Sequence, residues 1–233
     1  MALIKTKQEQ DYIKQACVVT DKIFSEIVCE LKKGIYKTEI DIARAISKKT
    51  LDCGLKKAFS PIVTSGPRAG NEIHPKPTKE KLKGFTIVDF GVRVNGYCSD
   101  MTRTIFFGEP SKKDRELYDM VLKGQLIGLA SVRDGASCVL ADKNVRGFFG
   151  KYKKYFIHTL GHGVGKRIHE RPRIYEKYDK EFFKTGMVVT IEPGIYISKK
   201  LGIRIEDTMV VNTKDVRVYT KSTKKLLTFL KIY

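Results

Sequence analysis

No window of this sequence approaches the roughly eighteen uninterrupted apolar residues that a membrane span needs. The start, MALIKTKQEQDYIK, lacks the apolar core of a secretory signal, so a cytoplasmic protein with no membrane partner is expected. Cysteine is sparse: Cys17, Cys29, Cys53, Cys98 and Cys138 are scattered, odd in number and never spaced as CxxC. That pattern suggests neither a disulfide framework nor a thiolate zinc site, and buried free thiols are expected. Arginine is the minor partner among the 45 basic residues, and the lysines that dominate are spread along the chain. Arginine is the side chain that reads phosphate and base edges with two hydrogen bonds at once. The formal charge of +19 therefore reads as a solvated surface attracted to acidic surfaces at low salt. Nucleic acid is not expected as the main partner. No linker rich in Gly, Ser or Pro divides the chain. With 42% hydrophobic and 10% aromatic residues, it reads as one α+β domain over residues 1–233.

Helical spacing runs from Lys5 to Leu31 through Ile13, Cys17, Phe24 and Ile27 or Val28, with Gly34 as the cap beyond it. A second helix is predicted over Thr38–Gly54, with Ile40, Ala43, Ile46 and Leu51 on one face and Glu39 and Asp41 in its first turn. Phe59–Ser65 reads as a strand and RAGNEIHPKPTKEKLKG as a loop. Helices follow at Ser111–Ala130 and Val139–Phe149, and a last strand near Leu226–Leu230. Two β-rich pairs stand out. One is TIVDFGVRVNGYCSDMTRTIFFG, turning at Asn95-Gly96; the other joins MVVTIEPGIYIS to GIRIEDTMVV. The organisation is helices then hairpin, twice over.

Closing the first hairpin on a two-residue loop pairs Val94 with Tyr97, and counting outward sets Gly91 opposite Asp100. Asp89 then shares a sheet face with Asp100 and lies diagonal to it. Two acids so placed repel each other unless a cation sits between them, and Gly91 is read as leaving it space. Glu192 and Glu206 repeat the theme in the second hairpin, whose longer loop leaves the register open. Histidine is scarce too, yet three of the four, His158, His162 and His169, fall within FIHTLGHGVGKRIHE. Four acids and an imidazole form an oxygen-rich set suited to two divalent cations.

The order VDFG, SDMTRT, GHGVG, IEPG and GIRIED resembles the pita-bread metallopeptidases, which include methionine aminopeptidases, Xaa-Pro aminopeptidases and prolidases. The resemblance covers nearly the whole chain. It implies a curved antiparallel sheet covered by helices in two pseudo-two-fold halves. It also implies two divalent metal ions per chain, manganese first, with cobalt, iron or zinc also admitted. Asp89 would be a terminal ligand of one metal, Asp100 and Glu206 would bridge both, and His162 and Glu192 would complete the other. A metal-bridging hydroxide would attack the first peptide bond of a substrate with a free N-terminus, with Glu192 as general base. His74 and His169 would polarise the carbonyl, and His74, His158, His169 and Arg204 would form the substrate-binding set.

Within the family, Arg204 lies two residues before Glu206, so on a strand it shares that acid's face and can hold the carboxylates, and GIRIED with SDMTRT looks like the Xaa-Pro branch. Methionine aminopeptidases typically show Phe-Glu-His-Thr where this chain has Arg-Ile-Glu-Asp. The activity expected first is therefore that of a Xaa-Pro aminopeptidase. A methionine or broader aminopeptidase, a Xaa-Pro dipeptidase, and a non-catalytic binding scaffold are the alternatives. Two departures stand beside the resemblance. The sequence starts at the first helix of the catalytic domain, where Xaa-Pro relatives usually carry an extra N-terminal domain, and Ile73 occupies a position where many relatives have Pro. A monomer and a homodimer fit equally.

Overall fold

Three reciprocal caps set where the helices start. The Thr6, Thr38 and Ser111 side chains accept from the backbone N–H three residues on, while Glu9, Asp41 and Asp114 accept in return from the cap residues' own N–H groups. Each such cap stabilises its helix by about 1 kcal/mol. The resulting elements, in a computed structural model that describes residues 3–178 and 181–230, are α1 (Lys7–Lys32) and α2 (Glu39–Asp52), then α3 (Lys112–Ala130) and α4 (Cys138–Phe149). The few remaining positions of the expected domain, 1–233, lie outside the described residues. Gly34 follows the α1 cap at φ +69°, as its place beyond the helix requires. Among the described residues no helix is long and apolar enough to cross a membrane.

One face assignment is corrected. Leu51 is 72% exposed, and the buried stripe of α2 runs through Glu39, Ile42, Ala43, Ile46 and Thr50. Thr50 lies one turn beyond Ile46, and Leu51 falls off that stripe by the angle of one residue.

The strands are β1 (Lys56–Lys57), β2 (Ile62–Ser65), β3 (Gly84–Phe90), β4 (Val92–Val94), β5 (Tyr97–Cys98) and β6 (Met101–Phe107) in the first half. The second half has β7 (Gly161–Gly163), β8 (Glu170–Ile174), β9 (Val188–Ile191), β10 (Gly194–Ile197), β11 (Leu201–Arg204), β12 (Asp207–Val211) and β13 (Val216–Val218). The chain then returns as β14 (Thr228–Phe229) to pair in parallel with β6. The strand expected from Phe59 starts only after Pro61, which has no N–H to give a ladder. The sheets run β14-β6-β3-β2, β1-β4-β5, β13-β12-β9-β7-β8 and β10-β11.

Both hairpins break at an acid. Phe90 pairs with Met101 on one side of the first break and Arg93 with Cys98 on the other, so one register sets Gly91 opposite Asp100, as counted from Asn95-Gly96. In the second, Ile191 pairs with Asp207 and Gly194 with Arg204, which sets Glu192 opposite Glu206. The reason for Gly91 differs from the one expected. A Cβ there would lie 1.8 Å from the Ser99 carbonyl oxygen, so glycine admits a backbone approach and leaves no room for a cation.

Strand alternation then sorts the side chains. Val88, Phe90, Met101 and Ile105 pack with Ile23, Ile27, Ile42 and Ile46 of α1 and α2. Val189, Ile191, Ile203 and Met209 pack with Tyr118, Val121, Val145 and Phe149 of α3 and α4. The opposite faces carry Asp89, Thr102 and Thr104 in one half and Thr190, Glu192, Arg204, Glu206 and Thr208 in the other. Hydrogen bonds from Thr102 to Glu206, and between Thr104 and the Arg204 backbone, join these polar faces. Gly91→Ala is expected to destabilise the fold by about 1–3 kcal/mol or more through this backbone clash, measured by urea unfolding; wild-type stability would show that the approach is not needed.

Candidate active site

Asp89, Asp100, Glu192 and Glu206 converge where the polar faces meet, and an imidazole joins them. One ligand atom from each of Asp100, His162 and Glu206 lies within 4.8 Å of the others. His162 Nε2 is 3.3 Å from Glu192 Oε1 and 3.6 Å from Asp100 Oδ2. Its placement follows from the glycines beside it. A Cβ at Gly161 would lie 2.0 Å from the Thr190 carbonyl oxygen, and one at Gly163 would lie 2.1 Å from that of Arg171. Only glycine lets β7 sit that close to both neighbours. His162 Nδ1 lies 3.1 Å from the Gly163 carbonyl oxygen, and a carbonyl only accepts, so the proton resides on Nδ1. Nε2 then presents its lone pair to the acids, as metal-binding histidines do.

Arg204 is the buried cation that faces the acids, and it is 1% exposed. It donates from Nη2 to Asp89 Oδ2 at 2.6 Å, from Nε to Thr102 Oγ1 at 3.1 Å, and from Nη1 to Tyr196 Oη at 2.7 Å and the Ile73 carbonyl oxygen at 3.2 Å. Thr102 passes the contact on, donating to Glu206 Oε2 at 2.7 Å. Beneath this layer Arg103 donates to the Glu206 carbonyl oxygen and to Asp207 Oδ1, tying the two hairpins together. Burial alone would raise the Asp207 carboxyl, but Arg103 and Lys224 outweigh it and hold it below the usual range.

The acids that face the cavity behave differently. Burial, with the neighbouring Glu206, Asp89 and Glu192, pushes Asp100 well above the ordinary carboxylate range. Burial, with Glu192 and Asp89, does the same to Glu206. Burial carries Glu192 to about 8 against the pull of Arg204. Two buried carboxylate oxygens of this cluster, Asp89 Oδ1 and Glu206 Oε1, have no hydrogen-bond partner. Four crowded acids, one fixed guanidinium, an aimed imidazole lone pair and two orphaned oxygens fit divalent cations.

A cavity of about 1310 Å³ opens onto this cluster, with His74, His158, His162 and His169 all in its wall. Burial lowers the His74 imidazole, with Arg204 adding to the effect. Burial and His162, whose ring centroid is 4.4 Å away, bring His169 down to about 4. His158 is built into the wall: Nδ1 donates to the Thr159 carbonyl oxygen at 2.8 Å, and Nε2 accepts from Tyr196 Oη at 3.0 Å. Burial takes it down to about 3, so it is neutral, and both of its ring nitrogens are engaged.

Each predicted site residue is thus found at one locus. Arg204 lies behind Asp89 and is not part of the cavity wall; of its two expected places, beside the carboxylates and in the substrate-binding set, its contacts to Asp89, Thr102 and Tyr196 fit the first. Tyr196 and Thr102 are the functional neighbours that the sequence reading missed. Strand alternation held the signal, since Thr102 lies two residues after Asp100 and Tyr196 four after Glu192.

Two hairpins broken at paired acids, each backed by helices and meeting over an acid–histidine cluster, define a pita-bread protein. The profile of metallopeptidase family M24 matches residues 11–213, and the chain belongs to that family. It is 38% identical to a Xaa-Pro dipeptidase of Pyrococcus furiosus over 97% of this chain and 66% of that protein. Among solved structures, an X-Pro aminopeptidase from Thermotoga maritima superposes with a TM-score of 0.91 at 32% identity, covering 97% of this chain and 64% of that one. A Xaa-Pro dipeptidase from Bacillus anthracis gives 0.91 at 36% identity, again covering 97% and 64%. The chain spans about two thirds of the length of the curated relatives it matches.

The raised carboxylates have a definite consequence in metal-free protein. Folded Glu192 holds its proton up to about 8, against 4.5 for the ordinary group, and Asp100 and Glu206 are shifted the same way. In that window the folded state binds more protons than the unfolded chain, so stability falls as pH rises. With chelator present, the unfolding temperature is expected to drop between pH about 5 and about 8, and a saturating divalent cation should restore it. A flat profile in calorimetry would count against a proton-sharing cluster.

Proposed function

We propose that this chain is a metal-dependent exopeptidase selective for Xaa-Pro bonds, with the dipeptide Xaa-Pro as the leading substrate. Both halves of residues 1–233 would act as one catalytic domain. The observation that carries this reading is the buried acid–histidine cluster with its two orphaned oxygens at the floor of the cavity. The sequence alone put the aminopeptidase first. The Pyrococcus furiosus and Bacillus anthracis relatives, both named Xaa-Pro dipeptidase, move the weight to the dipeptidase. The aminopeptidase stays as the second reading because the Thermotoga maritima enzyme of that name superposes equally well.

Asp89, Asp100, His162, Glu192 and Glu206 would hold two divalent cations, manganese first, which would supply an acidified water and Lewis-acid polarisation of the scissile carbonyl. Glu192, 3.3 Å from His162 at the cavity floor, would take the proton of the attacking water and hand it to the departing amine. His74 and His169 are kept neutral and line the cavity, so each can donate a hydrogen bond to the carbonyl oxygen as charge develops there. Arg204 holds Asp89 in place. The acid-lined floor suits a free α-amino group, which accounts for selection of the first residue.

Release of the N-terminal residue from Ala-Pro, Ala-Pro-Ala and Met-Ala-Ser, with manganese present, tests the reading. Cleavage of Ala-Pro above the others is expected. Cleavage of Ala-Pro-Ala alone would move the protein to the aminopeptidase, and of Met-Ala-Ser alone to the methionine branch. Glu206→Ala should lose turnover by at least about a thousandfold, because it removes a ligand shared by the centre; full activity in that variant would sink the dinuclear arrangement.

A further inference from the structure

His74 sits on residues 71–83, a stretch without helix or strand between a 3-10 turn (Gly66–Gly70) and β3. Apart from a single bridge of Lys81 to Thr38, the segment has no ladder to hold it, so its shape comes from tertiary anchors. We propose that Glu39 and Arg68 are positioning residues that set His74 over the acid cluster. The inference rests on the peptidase reading above and concerns residues distant from the ligands.

Glu39 is the first residue of α2 and is fully buried, yet it touches none of the acids. Its Oε1 accepts from the Ser65 N–H at 2.8 Å and Arg68 Nε at 3.3 Å. Its Oε2 accepts from the Thr78 N–H at 2.9 Å and Thr78 Oγ1 at 2.8 Å. Ser65, at the end of β2, and Thr78, inside the segment, lie on either side of His74 in the chain, so one carboxylate draws its two flanks together. Charge-assisted bonds and the positive end of α2 offset the cost of burying the acid.

Arg68 extends this anchor towards the tip. With Nε on Glu39, its Nη2 donates to the Lys76 carbonyl oxygen at 3.0 Å. On the other side of His74, Arg204 Nη1 donates to the Ile73 carbonyl oxygen. His74 is therefore suspended between two guanidinium groups, one rooted in the acid cluster and the other in Glu39. Pro75 and Pro77 fix φ beside it and offer no N–H, which makes the carbonyls of Ile73 and Lys76 the natural handles. The far root of the loop has bonds of its own, from the Ile40 N–H to the Thr78 carbonyl oxygen and from the Leu82 N–H to that of Lys37. The reach of Arg68 is thus a contact to the tip rather than to the root.

The test uses Arg68→Ala, Arg68→Lys and Glu39→Gln, read by Ala-Pro kinetics, calorimetric titration with manganese, and imidazole resonances in metal-free protein. The chain has 4 histidines, so their resonances can be followed one by one. In Arg68→Ala, kcat should fall by about tenfold to a hundredfold, with KM and manganese affinity within about twofold of wild type. The His74 resonances should move while those of His158, His162 and His169 hold. Arg68→Lys, which keeps the charge without the fork that reaches two acceptors, should fall between the two, and Glu39→Gln should follow Arg68→Ala. Unchanged kcat together with unmoved His74 resonances in Arg68→Ala would overturn the proposal. So would displacement of all four histidines with lost manganese affinity, which marks general structural damage. If the wild type cleaved no Xaa-Pro peptide, the peptidase reading would fail, while the selective shift of His74 would still decide the positioning role.

Discussion

Four carboxylates crowded into one buried pocket cannot all stay ionised against a single guanidinium, and much of the molecule is arranged around that imbalance. Arg204 neutralises Asp89, Thr102 donates to Glu206, and the rest of the excess charge is left to face the cavity. Burying like charges is costly unless a counter-charge is supplied. Thr102, Thr104, Arg204 and Tyr196 lie on the same strand faces as the acids, so the supports come from the elements that create the crowding. Beneath them the second ionic layer, Arg103 with Asp207, Gln125 and Lys224, is fully paired, and the Asp207 carboxyl is held low, as in a structural network. The contrast separates a layer that holds the hairpins from a layer that keeps unsatisfied valence for chemistry.

The halves reach the same solution by different backbone means. In the first, the sheet folds past Gly91 because the Ser99 carbonyl needs the volume of a side chain. In the second, Pro193 separates β9 from β10 and leaves Glu192 at the break. Each break turns an acid out of a regular ladder, where its flanking strands would otherwise hold it flat against a neighbour.

Much of this was legible in the sequence, and where it was not the reason is physical. Asn95-Gly96 allows a two-residue turn, so counting outward placed Asp89 and Asp100 on one face. The loop from Ser198 to Gly202 carries no such count, and only the structure sets Glu192 opposite Glu206. The acids and His162 could be named from the order of motifs. Tyr196 and Thr102 shared the acids' strand faces by alternation, but a tyrosine or threonine there is ordinary until its partner across the fold is known. Gly91 was correctly singled out for the wrong reason, since a sequence does not say whether a missing side chain makes room for a ligand or for another stretch of backbone. Leu51 misled because apolar character was weighed above angular position. Glu39 was seen only as a first-turn acid, and nothing in its surroundings along the chain marks it as the knot of a distant loop.

The acids and the imidazole come from both halves, with Asp89 in the first hairpin and Glu206 near the end of the second. No fragment that stops before Glu206 can contain the complete set, and contacts this distant in sequence form late in folding. A growing chain therefore carries an inert assortment of acids until its last strands are in place. Divalent cations held by this set would then mark completion, since only a molecule whose two halves have met offers all of its side chains together.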